Sequence, residues 1–176
     1  MLHLKKKIPL NLLDEEQNII SKKFSESKHI KGFSEFVLYA MAELFANINE
    51  HSKAKNAFVE LKIEKQNCLI KISDDGKGLK KSYTQKEIYP KDDFSAIEFA
   101  LSGLSTKNFK ERGFGLYSVK KLTLALQGKM IIESGNAKAV IEKENIKFSN
   151  LKNKIEGLTI TLQTKIGEIN FYKFIE

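Results

Sequence analysis

FSEFVLYAMAELFANINEH, residues 33–51, carries an apolar stripe with the spacing of a helix. Its apolar residues recur at intervals of four, three, four and four positions, namely Phe33, Val37, Ala40, Leu44 and Ile48. An α-helix brings residues three and four positions apart onto one face. The spacing therefore predicts an amphipathic helix over residues 33 to about 48, with this stripe against the core.

A row of polar residues follows the same helical period beside that stripe. Glu43, Asn47 and His51 are four positions apart and share one face, at the border between core and open surface. A carboxylate and an amide one turn apart can hold a water and a Mg²⁺ ion side by side, and the carboxylate can take a proton from that water. The row is also compatible with a solvated helix face, and His51 with a structural role at the helix end.

The second cluster follows a predicted hairpin. Residues 57–64 (AFVELKIE) and 68–73 (CLIKIS) alternate with period two and are joined by a short polar link, which predicts two paired strands. The same alternation turns the side chain of Asp74, the next residue on this face, toward the interior. Burying a carboxylate there costs free energy unless it is hydrogen-bonded. An adenine amino group would be a suitable donor, and Gly76 and Gly78 would let the backbone approach a flat base. The alternative is an Asp-Gly turn after a strand.

The third cluster lies at the start of another predicted helix, near Gly115. Glycines before a helix N-terminus expose backbone N–H groups where the helix dipole favours anions, which suits a phosphate. The G-x-G pattern alone is weak evidence, because no Gly-Lys-Ser/Thr of a Walker loop follows it and it does not open a βαβ unit. The candidate phosphate-binding residues are Ser105, Thr106, Lys107, Arg112, Gly113, Phe114, Gly115 and Leu116.

The remaining segments predict the layers around these clusters. We expect a helix over residues 14 to about 24, with Asp14 as its N-cap. Residues 80–112 form a polar, irregular stretch with few apolar anchors, apart from a helical pattern at residues 94–101. Nearer the C-terminus, KMIIES, AVIEKE, IKFSNL and LTITLQ predict three or four strands of an antiparallel meander. Helices gathered on one side of a mainly antiparallel sheet indicate an α+β sandwich.

Charge and composition narrow the function classes. Thirty Lys plus Arg against twenty-two Asp plus Glu give a net charge of +8, which could attract nucleic acid, anionic lipid or nucleotide phosphate. The lysines are spread along the chain and aromatic residues do not interleave with a basic cluster, which disfavours nucleic-acid binding as the main role. No apolar stretch is long enough to cross a membrane. The lone Cys68 cannot form an intrachain disulfide, which favours a reducing compartment and a cytoplasmic protein.

The three clusters, taken in order, resemble the motifs of the GHKL ATPases. That superfamily includes gyrase-type topoisomerases, heat-shock chaperones, histidine kinases and mismatch-repair ATPases, and the similarity spans about residues 33–162. It rests on E-x-x-x-N-x-x-x-H in a helix, D-x-G-x-G after a strand and R-G-x-G-L at a helix start. The resemblance implies the Bergerat fold, a two-layer α/β sandwich with a mostly antiparallel mixed sheet and helices on one face. It also implies an ATP lid at residues 80–112. The length of the chain, with no internal repeat or Pro/Gly-rich linker, indicates a single domain over residues 1–176.

The resemblance also assigns roles by position. Glu43 is similar to the general base that orients the hydrolytic water, and Asn47 to the Mg²⁺ ligand. Asp74 resembles the carboxylate that reads adenine, with Gly76 and Gly78 beneath the base. The residues that fall where the lid contacts the phosphates are Lys107, Arg112, Gly113 and Gly115. The Ser-Thr-Lys stretch before them is more like the gyrase and mismatch-repair lids than those of most histidine kinases.

One position departs from the pattern of the family. Members usually carry Gly-Thr at the start of a late strand, where the threonine supports the adenine-binding aspartate through a water. Here Gly157 is followed by Leu158, whose parity with Ile160 and Leu162 places it on the inner face, while Thr159 points away. Leu158 therefore lacks the hydroxyl through which the family makes this second contact.

Three functions are compatible with Mg-ATP binding. The first is an ATPase whose lid closure signals to a partner, which the carboxylate of Glu43 favours. The second is a protein kinase, either a histidine-kinase catalytic domain or a serine kinase like the anti-sigma factors. Only about thirty residues precede the first motif helix, too few for a dimerising hairpin with a phosphoacceptor histidine, which disfavours a full histidine kinase. The third is a nucleotide-sensing module with little turnover. The partner or acceptor is not identified, and a homodimer is left open.

Overall fold

The computed structural model of the chain describes residues 2–25, 30–102, 115–143 and 145–174. Its helices are α1 Leu13–Ser25, α2 Phe33–Asn47, α3 Gly78–Thr84, α4 Asp93–Leu101 and α5 Gly115–Ala125. Its strands are β1 Leu2–Pro9, β2 Asn56–Glu64, β3 Asn67–Asp74, β4 Lys129–Glu142 and β5 Asn145–Lys165. Two 3-10 turns, Leu10–Leu12 and Phe171–Phe174, and a π-helical turn, Ile48–Ser52, complete the described elements.

The strands form one five-stranded sheet in the order β1-β2-β3-β5-β4. Each neighbouring pair in it is antiparallel, so within the described ranges the sheet is not mixed. The predicted hairpin is confirmed in β2 and β3, with Val59 opposite Ile72 and Leu61 opposite Ile70. These four side chains are buried beneath the helical layer. The α+β sandwich predicted from the sequence is confirmed.

The predicted stripe of α2 is confirmed as the centre of the core. Val37 and Ala40 are fully buried, and Phe33, Leu44 and Ile48 are 4% exposed or less. The helix packs between α1 and α5 and against the sheet. Since burying a large aliphatic or aromatic side chain is worth about 1.5–3 kcal/mol, this stripe fixes the rotation of α2. The polar row that begins at Glu43 is thereby held beside α5.

The first helix begins one residue earlier than predicted. It starts at Leu13, directly after the 3-10 turn Leu10–Leu12, and so Asp14 lies in its first turn and is not the N-cap. The carboxylate of Asp14 instead accepts a hydrogen bond of 2.7 Å from the side-chain amide of Asn49. This contact joins α1 to the turn that follows α2.

Strand β1 is a feature that the sequence analysis did not predict. Leu2, Leu4 and Ile8 alternate toward the core as a strand requires, but three consecutive lysines interrupt the pattern. One of them, Lys6, also faces the helical layer, where its Nζ pairs with the carboxylate of Glu16 at 2.5 Å. A charged residue in a core-facing position conceals the period of two.

Residues 80–112 are more ordered than expected over the part that the structure describes. Helix α3 covers Gly78–Thr84, where an irregular segment was predicted, while the helical pattern at residues 94–101 is confirmed as α4. Tyr83, Ile97 and Leu101 are buried, so the expectation of few apolar anchors is wrong for residues 80–102. The lid boundaries stay a prediction for residues 103–112, which lie outside the described residues.

The C-terminal part of the sheet contains fewer and longer strands than predicted. Three or four strands were predicted here, but the structure has two, β4 and β5. The register of their pairing shifts on both sides of Gly135. Gly135 has φ +60, in the left-handed region that glycine adopts without strain. The four alternating segments are therefore parts of two irregular strands. In the described ranges no helix is both long and apolar enough to cross a bilayer.

Candidate functional site

A cleft opens between the helical layer, the end of β3 and the middle of β5. The space enclosed between its walls is about 120 Å³, and the cleft continues into open solvent. The cleft brings together six residues predicted from the sequence: Glu43, Asn47, Asp74, Gly78, Gly115 and Leu116. His51 also lines it. The three sequence clusters therefore meet at one site.

Asp74 supplies the carboxylate at one end of the cleft. It is 6% exposed, and its Oδ1 accepts a hydrogen bond of 2.8 Å from the backbone N–H of Gly76. The backbone N–H of Leu158 is a second donor to this carboxylate. Burial raises the pKa of Asp74, while the two backbone hydrogen bonds act in the opposite direction. The two backbone N–H groups thus fix the orientation of the side chain, and its carboxylate remains a hydrogen-bond acceptor for a group in the cleft.

The glycines around Asp74 are required by close packing. A Cβ on Gly76 would lie 2.2 Å from the carbonyl oxygen of Ser52 and 2.7 Å from Oδ1 of Asp74, so any side chain there would displace the backbone and the carboxylate. Gly157 has φ +72, and its Cβ would lie 2.8 Å from the same carboxylate oxygen. Gly78 lines the cleft, whereas Gly76 contacts Asp74 and is not among the lining residues. Gly76 thus supports the carboxylate, and its role beneath a base stays a prediction.

Leu158, where the resemblance led us to expect a threonine, faces the cleft together with Ile160, as its parity predicted. Its side chain offers no hydroxyl, but its backbone N–H reaches Asp74. Support for the carboxylate from β5 thus comes from the main chain. The wall that Leu158 and Ile160 form is apolar.

Helix α3 forms a wall of the cleft that the sequence analysis missed. Leu79, Ser82 and Tyr83 line the cleft from this helix. Ser134 of β4 is 2% exposed, and its hydroxyl accepts from the N–H of Leu79 at 3.0 Å and contacts the carbonyl of Gly157 at 3.2 Å. Leu79 and Tyr83 are four positions apart, a signal that could have indicated a helical face. The glycines before them favoured a loop instead.

The other end of the cleft joins the first and third clusters. Gly115 is the first residue of α5, and a Cβ on it would overlap Oε2 of Glu43. The carboxylate therefore lies directly against the N-terminal turn of α5. Asn47 is one turn further along α2 on the same wall. His51, beyond it, has its Nε2 3.5 Å from a carboxylate oxygen of Glu50.

Six of the predicted phosphate-binding residues lie outside the described part of the chain. These are Ser105, Thr106, Lys107, Arg112, Gly113 and Phe114. Their proposed roles therefore rest on the sequence. Gly115 and Leu116, which follow them, are the described end of this cluster, and both line the cleft.

The donor set of the cleft fits a magnesium ion shared with a nucleotide. Within the described ranges no cluster of three or more His, Cys, Asp or Glu side chains could hold a metal without other ligands. Magnesium is commonly held by one or two protein oxygens and completed by substrate phosphates and water. The amide of Asn47 offers one such oxygen, and the carboxylate of Glu43, one turn away, can hold a water beside it. Both lie on a wall beside a helix N-terminus that favours phosphate.

Comparison with protein families gives a match over most of the chain. The model of the histidine kinase-, DNA gyrase B- and HSP90-like ATPases matches residues 32–167, which is about three quarters of the chain. The chain belongs to this family. The match confirms the resemblance seen over about residues 33–162 and identifies a GHKL-type ATP-binding domain. The comparison with curated proteins found no match for the chain.

Proposed function

We propose that the chain is a Mg-ATP-dependent ATPase that acts as a nucleotide-controlled switch. The observation that carries this proposal is the contact of the Glu43 carboxylate with Gly115, at the first turn of α5. A carboxylate there, at the end of the cleft opposite Asp74, would accept a proton from a water. A nucleotide spanning the two ends would present its base to one carboxylate and its terminal phosphate to the other.

The adenine would occupy the end at Asp74. Its exocyclic amino group donates a hydrogen bond to the carboxylate, whose other partners are backbone N–H groups. The neighbouring walls contain the apolar side chains of Ile72, Leu158 and Ile160, which suit a flat aromatic ring. A buried acceptor beside apolar surface favours adenine over guanine, because guanine has a carbonyl at the corresponding position.

The phosphates would occupy the end at α5. The N-terminal turn of this helix offers backbone N–H groups to an anion, and Asn47 is the proposed magnesium ligand. A bound magnesium ion would neutralise phosphate charge and polarise the terminal phosphoryl group. Glu43 orients a water and accepts its proton as the water attacks.

The switch would depend on residues before α5. We propose that Lys107 and Arg112 contact the terminal phosphate, with Ser105, Thr106, Gly113 and Phe114 in the same lid, so that hydrolysis releases the lid. A protein partner would then respond to the lid. The same site could transfer the phosphoryl group to a hydroxyl or imidazole of a partner if that group replaced the water.

Incubation with ATP labelled in the γ-phosphate tests the proposed function. We expect labelled inorganic phosphate to accumulate with Mg²⁺ and to disappear when the metal is chelated. Labelled protein, on this chain or on an added candidate acceptor, would instead indicate a kinase. Tight ATP binding with neither product would indicate a nucleotide-sensing module. An absence of ATP binding would contradict the proposal altogether.

Gly115→Ala should slow hydrolysis by about a hundredfold, because the added methyl group displaces the Glu43 carboxylate and small misplacements of catalytic groups have effects of this size. Alanine is a better helix former than glycine, so the fold should be preserved. The measurement is the single-turnover rate at saturating Mg-ATP.

Gly167→Ala is the matched control, since a Cβ there would meet nothing within 4 Å. It should hydrolyse ATP at the parent rate. If Gly115→Ala also retained that rate, Glu43 would not be acting from the position described.

A further inference from the structure

Tyr39 brings a hydroxyl group to the carboxylate of Glu43. The two residues are four positions apart in α2 and therefore lie on the same helix face. The Tyr39 hydroxyl is hydrogen-bonded to the side chains of both Glu43 and Ser118. Neither Tyr39 nor Ser118 belongs to the three sequence clusters, so this is a separate group of contacts around the proposed base.

Through its hydrogen bond with Ser118, the Tyr39 hydroxyl also contacts α5, the helix at the proposed phosphate site. Ser118 lies one turn after Gly115 in α5 and is 4% exposed. Helices α2 and α5 pack against each other. The pair Tyr39 and Ser118 thus bridges the helix that carries the base and the helix whose N-terminus lies against it.

The protonation state of Tyr39 suits it to donate to a carboxylate. Burial, and then the negative charge of Glu43, raise the pKa of Tyr39 above its usual value. The phenol therefore keeps its proton at neutral pH and donates to Glu43, while its oxygen can accept from the hydroxyl of Ser118.

The ring of Tyr39 is held in turn by the C-terminal turn Phe171–Phe174. The rings of Tyr39 and Phe171 meet edge to face, with centroids 5.5 Å apart and planes at 74°. Phe171 is 8% exposed. It lies after residue 167, where the family match ends. A segment outside the matched region therefore restrains the tyrosine.

We propose that Tyr39 and Ser118 are positioning residues, which hold the carboxylate of Glu43 in the orientation needed to take a proton from water. The proposal deepens the function proposed above and rests on it. A glutamate side chain has three rotatable bonds, and its carboxylate must be confined before it can act as a base. The phenol hydrogen bond confines it without contact between Tyr39 and the nucleotide.

Tyr39→Phe tests this role, because it removes the hydroxyl and keeps the ring against Phe171. We expect the single-turnover rate at saturating Mg-ATP to fall about tenfold, the effect of one hydrogen bond. The dissociation constant of ATP should change by less than about twofold, since the lost contact acts on the base and not on the nucleotide. A purely structural role would instead weaken binding and lower the melting temperature together with the rate.

Three further variants complete the experiment. Tyr172→Phe makes the same chemical change at a side chain that is 61% exposed, and it should behave as the parent chain does. Ser118→Ala should slow hydrolysis less than Tyr39→Phe. The double variant should be no slower than Tyr39→Phe alone, because Ser118 acts through the same hydroxyl.

The outcomes separate this inference from the proposed function. If the parent chain hydrolyses ATP and Tyr39→Phe retains the full rate, the positioning role is overturned while the ATPase remains. A rate loss that is fully additive with that of Ser118→Ala would also overturn it. If the parent chain hydrolyses no ATP, the proposed function and the positioning role both fall.

Discussion

Glu43→Ala is expected to reduce phosphate release to background while leaving the affinity for ATP within a few-fold of the parent chain. The carboxylate lies against the N-terminal turn of α5, at the end of the cleft away from the proposed adenine site. A general base contributes about 10²–10⁴ to a rate, and its removal affects the chemical step more than binding. Phosphate release and nucleotide affinity should be measured on the same preparation.

Glu35→Ala is the matched control for this prediction. Glu35 is on the same helix, but it is exposed and does not line the cleft. It should leave both quantities unchanged. Hydrolysis by Glu43→Ala at the parent rate would remove the general-base assignment, whereas a large loss of affinity would indicate that Glu43 acts chiefly in binding the magnesium ion.

The sequence was most informative where one physical pattern dominated. The stripe of α2 is uninterrupted, and so the helix and its buried face could be read directly. The alternation of β2 and β3 also gave the inward parity of Asp74, which the structure confirms. In both cases a residue's position within the element followed from its period alone.

Hydrophobic periodicity did not predict two elements, one in which a core-facing position carries a charge and one in which a helix begins at a glycine. Lys6 breaks the alternation of β1, because its ion pair with Glu16 replaces apolar burial. Helix α3 begins at Gly78, which has φ +73, and local propensity there favours a turn. Tertiary contacts such as that of Leu79 with Ser134 stabilise the helix instead.

The residues of the candidate site also fall into those that a local sequence pattern reveals and those that only helix packing brings together. The clusters identified Glu43, Asn47 and Asp74 because each belongs to a spaced motif. The hydroxyl groups of Tyr39 and Ser118 come together only when α2 packs on α5. No spacing within one segment encodes that contact, since the two residues lie in different helices.

Asp74→Asn should lower the affinity for ATP by about ten- to a hundredfold, the effect of losing a charge-assisted hydrogen bond of about 1.5–3 kcal/mol in a buried site. The backbone N–H of Gly76 would keep the amide oxygen at the place of Oδ1, so the NH₂ would face the adenine amino group. The parent chain should strongly prefer ATP to GTP, and the variant much less, in parallel titrations. Because burial raises the pKa of Asp74, the parent's affinity for ATP should also fall as the pH is lowered through that raised pKa, since the protonated carboxyl no longer presents the ionised acceptor.

Asp75→Asn is the control for the nucleotide preference. The carboxylate of Asp75 accepts hydrogen bonds from the backbone of Lys55 and from Asn56, outside the cleft, and the preference for ATP should survive its loss. Equal affinity of the parent chain for ATP and GTP would contradict the assignment of Asp74 to adenine.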